Sequence, residues 1–372
     1  MRAFVAMAAV LTVLLFGTCK KSSPSDNNNN NDGDPQVDAS LTDKVLTQNL
    51  TFPWEILWGP DGKLWITERG GKISRVNPAD GTVTPVLTIS EVVSRGEGGL
   101  LGMVLHPDFA TTPEVFVAYN YDKGGVYTKK VVKFTFNGTT LSNPVVLLDN
   151  IPASNIHNGT RLAISPDKKL YITSGDASES SRAQDKNNLA GKIQRINLDG
   201  SIPADNPIAG SPVWTYGHRN PQGLVFVGDR LYSSEHGNTT DDEINIIQKG
   251  RNFGWPTVEG FCDGGSEASF CTLNNVVEPI QAWSPTIAPS GIDYYNNDAI
   301  PQWKNSLLLA VLKDSELLQI KLNTAGDKVE AVNTFYKGTY GRMRDIAISP
   351  AGEVFIITSN GSNDKIIKVS GK

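Results

Sequence analysis

The phrase "PDGKLWITE" at residues 60–68 returns along the chain as "PDKKLYITS" (166–174), "VGDRLYSSE" (227–235) and "PAGEVFIIT" (350–358). "TPEVFVAYN" (112–120) and "KNSLLLAVL" (304–312) are more degenerate copies. Each is a turn followed by an apolar, β-branched run, which predicts a strand entered from a tight turn. Aligned on Leu64, Val115, Leu170, Leu231, Leu308 and Val354, the copies lie 51, 55, 61, 77 and 46 residues apart. Six units of roughly 55 residues predict four-stranded blades, and so an all-β, six-bladed β-propeller. A seven-bladed count or a large β-sandwich also fits the spacing. In a propeller each phrase is expected to repeat an inner strand, with functional groups on the loops at one end of the channel. After about residue 45 no amphipathic helix of ordinary length is expected. The longest interval predicts an insertion around "SEHGNTTDDEIN" and "FCDGGSEASFCTL".

The first forty residues follow other rules. Arg2 and the apolar "AFVAMAAVLTVLLFG" form a stretch too short to span a bilayer comfortably. The "FGTCKK" that follows resembles a bacterial lipoprotein cleavage site with Cys19 as the lipidated residue; an ordinary signal peptide cleaved nearby is the alternative. Residues 1–18 are therefore expected to be an export signal, 19–40 an Asn-rich tether without core-forming side chains, and 41–372 the propeller. Either way the protein is expected to leave the cytoplasm, as a periplasmic or outer-membrane-anchored lipoprotein. In an oxidising compartment Cys262 and Cys271 are expected to pair. A formal net charge of −5, with no long basic run, argues against nucleic acid as a partner.

Candidate functional residues sit at strand ends. "YGHRNPQGL" presents Arg219 and Asn220 from a turn closed by Pro221 and Gly223. Arg342 and Arg344 are two apart in an extended segment, hence on one face. Lys313 follows the apolar run "LLLAVL". Together these cations can neutralise a small polyanion. His157 lies on an irregular loop, where a histidine can act as a general base. His106, in "LHPDF", reads as a turn bracket, and no histidine pair has transition-metal spacing. "HGNTTDDEIN" offers the carbonyls of Gly237 and Asn238 and the carboxylates of Asp241, Asp242 and Glu243, an oxygen-rich turn suited to Ca²⁺.

These stretches, in this order, resemble the soluble PQQ-dependent glucose/aldose sugar dehydrogenases. The likeness runs from "FPWEILWGPDGKLWITERGGKI" through "GEGGLLGMVLHPDF", "HNGTRLAISPD", "YGHRNPQGL", "EHGNTTDDEINII" and "GRNFGWP" to "GRMRDIAISPAG". It implies a six-bladed propeller that oxidises the C1 hydroxyl of an aldose to a lactone and passes electrons to an external acceptor. It implies that Lys313, Arg342 and Arg344 hold the carboxylates of PQQ, that Arg219 and Asn220 approach its quinone, and that Thr286 and Glu97 contact it. It implies His157 as general base, one Ca²⁺ on the carbonyls of Gly237 and Asn238, and a second on Glu243, the Phe253 carbonyl and Asp263. The chain departs from the family at several of these points. Asn238 replaces a proline, Glu97 stands where the glucose enzymes have Gln, and Ile156 stands where they have Asp. Trp283 is one residue out of register with the aromatic that stacks on the cofactor. A carboxylate at Glu97 is expected to weaken binding of a trianion unless it is protonated or turned away. A calcium-dependent propeller lactonase would not need the Lys313/Arg342/Arg344 group, and a glycan-binding lipoprotein would keep the scaffold without the reaction.

Overall fold

The computed structural model describes residues 40–372. The expected export signal, Cys19 and all of the tether before residue 40 lie outside the described residues. Six four-stranded antiparallel sheets follow one another along the chain. Five are built from consecutive strands spanning 53–88, 100–152, 162–216, 221–283 and 289–335. The sixth joins Met343–Ile348, Val354–Thr358 and Asp364–Gly371 to Leu41–Leu50, the first strand of the described chain. That pairing runs from Leu41 opposite Gly371 to Leu50 opposite Asp364, so the two ends of the domain close the ring.

The six phrases do form six equivalent strands, but each is the second strand of its blade, one step out from the channel. The expectation of an inner strand is corrected in that sense. The reason is burial. Leu64–Glu68, Ser306–Val311 and Val354–Thr358 are buried along their whole length. Strands covered on both faces read as continuous apolar runs, which makes them the most legible part of a blade. Outermost strands such as Val329–Phe335 are largely exposed and leave little signal.

The channel-lining strands are irregular. Five of the six carry a register shift near their start, between Pro53 and Glu55, Leu100 and Met103, Pro221 and Gly223, Pro289 and Ile292, and Met343 and Asp345. Such bulges re-aim side chains, and they place polar groups on the axis. There Arg161 Nη1 donates to Glu55 Oε1 at 2.5 Å and to Asp345 Oδ2 at 2.8 Å, while its Nε donates to the Gln222 carbonyl at 2.8 Å. Glu55 also accepts from the Met103 amide at 3.2 Å, and Asp345 from the Ile56 amide at 2.9 Å. The guanidinium lies 4.1 Å from the Trp54 ring centroid. Blade five approaches so closely that a Cβ on Gly291 would stand 1.7 Å from Asp345 Oδ1. All six blades thus converge on one buried ionic knot.

The insertion is present in blade four. Cys262 and Cys271 form a disulfide with Cα atoms 6.3 Å apart. Across it lies Gly265–Asn274, the one α-helix among the described residues, with no buried side chain.

Removing one partner of a buried ion pair typically costs about 3–5 kcal/mol, because the other is left uncompensated. Arg161→Met, which strands Glu55 and Asp345, is expected to lower the unfolding free energy by about that much in urea titration. A loss below about 1 kcal/mol, the range of surface pairs, would contradict the knot's role.

Candidate active site

The phrase strands all end at one mouth of the channel, and the site is built there. His157 lies on the loop before the short inner strand Leu162–Ile164. Its Nδ1 is 2.8 Å from Asp176 Oδ1, and Asp176 is 2% exposed. The other oxygen of Asp176 accepts from Trp255 Nε1 at 3.0 Å. A carboxylate on Nδ1 assigns the proton to that nitrogen and leaves Nε2 basic. His157 thus has the orientation of a general base. Neither Asp176 nor Trp255 was picked out in the sequence.

The remaining histidines are occupied structurally. His106 Nδ1 accepts from the Asp108 amide at 3.0 Å, as expected of a turn bracket. His218 is fully buried between Glu235 and Thr215 and stacks on Phe253 at 4.6 Å. His236 Nε2 is 2.8 Å from the Pro289 carbonyl, and burial pushes its pKa down to about 3.

Beside His157 opens a cavity of about 160 Å³ lined by Arg69, Glu97, His236, Arg342 and Arg344, among others. Arg344 Nη1 donates to Gln222 Oε1 at 2.6 Å and to Ser290 Oγ at 3.2 Å. Burial, with Arg161 and Arg342 nearby, lowers its pKa to about 9. Lys313 is exposed at the rim and donates to the Thr286 carbonyl at 2.6 Å and hydroxyl at 2.9 Å. Arg219 lies over Trp255, its guanidinium carbon 5.3 Å from the ring centroid. Asn220 is fully buried, and its Oδ1 accepts from the Gly159 amide at 3.0 Å.

Three buried donors among the expected site residues have no hydrogen-bond partner, Arg219 Nε, Asn220 Nδ2 and Arg344 Nε; of these residues Arg344 lines this cavity, Arg219 lines a second space and Asn220 lines neither. Orphaned buried donors are costly, and a cavity lined by Arg69, Arg342 and Arg344, with an unpartnered Nε on Arg344, suits an acceptor-rich anionic ligand. The residues therefore fit PQQ. Glu97 has another occupation. Its Oε2 accepts from the His157 amide at 2.9 Å, so the carboxylate braces the loop that carries His157. Arg69, a cation the sequence reading missed, donates to the Gly96 and Gly98 carbonyls and holds the Glu97 turn.

A second, small space of about 20 Å³ lies behind Arg219, lined by Glu235, Gly237, Asp241, Glu243, Phe253 and Glu259 among others. Burial, followed by the charge of Glu235, pushes Glu243 up to about 8. So carboxylate-rich a space suits a cation. Among the described residues no three His, Cys, Asp or Glu side chains stand in ligating array, so such an ion would also need carbonyls. Asn238 hydrogen-bonds the Glu259 side chain. Asp263 is exposed, does not line this space, and its amide donates to the Phe261 carbonyl. Asp242 is spent on the amides of Gly237, Ile287 and Ala288, so it fixes the turn below Thr286. Trp283 sits in the outermost strand of blade four, paired with Asp242, and packs into the hydrophobic core there.

The family described as Glucose / Sorbosone dehydrogenase matches residues 50–368. The chain is 34% identical to quinoprotein glucose dehydrogenase B of Acinetobacter calcoaceticus, over 86% of each chain. It is 32% identical to an aldose sugar dehydrogenase of Escherichia coli (strain K12), over 89% of this chain and 93% of the relative. The solved PQQ-bound form of the aldose sugar dehydrogenase from Streptomyces coelicolor superposes with a TM-score of 0.77 at 34% identity, covering 91% of this chain and all of that one.

If the small space takes a cation, excess Ca²⁺ should raise the melting temperature. Ligand at about 100 times its Kd stabilises by about 2.7 kcal/mol, or roughly 5 °C for a chain of this size. Glu243→Gln should abolish most of the shift. An unchanged melting temperature in the wild-type chain would rule the site out.

Proposed function

The chain belongs to the glucose/sorbosone dehydrogenase family, and on that premise we propose that it is a PQQ- and Ca²⁺-dependent aldose dehydrogenase. The reaction is oxidation of the C1 hydroxyl of an aldose to the lactone, with electrons passed on to an external acceptor. The observation that carries this reading is the adjacency of the His157–Asp176 couple to a pocket lined by Arg69, Arg342 and Arg344, the last with an orphaned buried donor.

When bound, PQQ supplies the two-electron acceptor and Ca²⁺ the Lewis acid that side chains lack. The chain does the rest. Arg342, Arg344 and Lys313, the last anchored on Thr286, meet the carboxylates. Arg219 and Asn220 would offer donors to the quinone end of that cofactor. His157 Nε2 takes the proton of the C1 hydroxyl, and Asp176 holds the ring and stabilises its charged form. Glu97, bonded to the His157 amide and offset by Arg69, does not oppose the anion as a free carboxylate would. Gly237, Asn238, Glu243 and Phe253 are the residues suited to calcium. A lactonase would leave the Arg342/Arg344/Lys313 group without a task, and simple glycan binding would leave His157–Asp176 without one. With Ile156 beside the base, glucose itself is not the implied sugar.

We further assign residues 1–18 as a lipoprotein-type export signal, 19–40 as a tether and 41–372 as the catalytic propeller. The protein would then be held at the membrane through Cys19, in the periplasm or on the outer membrane.

In the chain reconstituted with PQQ and Ca²⁺, His157→Gln should lower dye-linked sugar oxidation about 10²–10⁴-fold. PQQ titration should stay near wild type, since its charges are met elsewhere. Asp176→Asn should depress turnover as well, by releasing the tautomer. Wild-type turnover in a PQQ-loaded His157→Gln enzyme would refute the assignment. Separately, Cys19→Ser should release an active, soluble protein on cell fractionation; unchanged membrane retention would show that Cys19 is not the anchor.

A further inference from the structure

The loop carrying His157 adopts a conformation that its residues disfavour. His157, Gly159 and Thr160 have φ values of 57°, 60° and 85°. A β-branched residue in the left-handed region is an outlier, and such turns persist only where their surroundings over-determine them. Here the His157 amide is taken by Glu97, the Gly159 amide by Asn220, and the Thr160 amide by the Thr173 carbonyl at 2.8 Å. Asn158 holds the middle of the turn. Its side chain bonds to Asn120 and to the backbone of Ser154. Its carbonyl accepts from the Thr160 hydroxyl at 2.8 Å and from the ammonium of Lys129.

Lys129 lies in the third strand of blade two, Val126–Phe136, and is 0% exposed. Burial pushes its pKa down to about 7, and Asp176 is the charge that pulls it back up. An ammonium there is costly, and a methionine would fill the same space without that cost, so packing alone does not account for it. Glu97 and Asn220 also belong to the proposed cofactor site. Lys129 does not line that pocket.

We propose that Lys129 is a positioning residue for the base: anchored on the Asn158 carbonyl, its buried ammonium fixes the left-handed turn that presents His157 to the pocket. The inference rests on the function proposed above. Asp176 orients the imidazole ring, whereas Lys129 sets the backbone that carries it.

Lys129→Met keeps the length of the side chain and removes the donor. In the full chain reconstituted with PQQ and Ca²⁺, with turnover counted per PQQ bound, kcat should fall about 10–100-fold. That is the scale of loss when a reacting group is displaced by about 1 Å. Sugar KM and PQQ affinity should stay near wild type. Without cofactor, the downfield NMR resonance of the His157 Nδ1 proton, bonded to Asp176, should weaken or vanish in the variant. A merely structural lysine would lower the melting temperature and leave kcat per site and that resonance unchanged, which overturns the proposal. Should Lys129→Met not fold, Thr160→Val removes the other donor to the same carbonyl. A lower kcat with a weakened resonance then supports the proposal, and wild-type values for both overturn it. A wild-type chain that oxidises no sugar sinks the proposed function alone, because the His157 proton is read without cofactor or sugar.

Discussion

Arg161 stands where the inner strands converge, and its guanidinium ties together blades that are not neighbours in the ring. Through Glu55, Asp345 and the Gln222 carbonyl it joins blades one, three, four and six, and the Met103 amide adds blade two. A ring closed by pairing its first and last strands needs such a register lock, because each blade alone could tilt about its neighbour. The knot also reaches the floor of the site, through Gln222. Gln222 accepts Arg161 on neither of its side-chain atoms, since it offers its carbonyl, and so its Oε1 is free to hold Arg344. Arg161 and Arg342 lower the affinity of Arg344 for its proton, second only to burial. The cation most deeply set in the pocket is therefore poised to gain most from an anion.

Above that floor, His157 and the cationic pocket share supports. Glu97 lines the pocket and bonds the His157 amide; Asn220 offers a free Nδ2 while its Oδ1 holds Gly159. A ligand that draws on either side chain also acts on the loop that carries His157. Preorganisation of this kind explains why a strained turn is kept: its cost is offset by the folded scaffold before any substrate arrives.

The propeller was legible in the sequence because its second strands are buried on both faces and repeat one apolar phrase. The strands that line the channel were not legible, since bulges break their alternation and polar side chains replace apolar ones. Much the same divide runs through the site. Arg219, Asn220, Lys313, Arg342 and Arg344 follow turns or strand ends, where a lone polar residue stands out. Asp176 and Arg69 were equally available, lying just past "KLYITS" and "KLWITE" at the same mouth as Lys313 past "LLLAVL". The repeat itself was the unused signal. Lys129 had none, because "VYTKKVVKF" reads as a strand with solvated lysines. Asp263 was placed by likeness alone, and it lies in the insertion.

The central claim is that this mouth is a cofactor cradle, its orphaned donors complete only when an anionic quinone is present. A crystal structure of the chain soaked with PQQ and Ca²⁺ tests it most directly. One PQQ is expected at the channel mouth, its carboxylates on Lys313, Arg342 and Arg344 and its quinone oxygens within hydrogen-bonding reach of Arg219 and Asn220. A cofactor bound elsewhere, or density for PQQ with Arg219 Nε, Asn220 Nδ2 and Arg344 Nε still unpartnered, would contradict it.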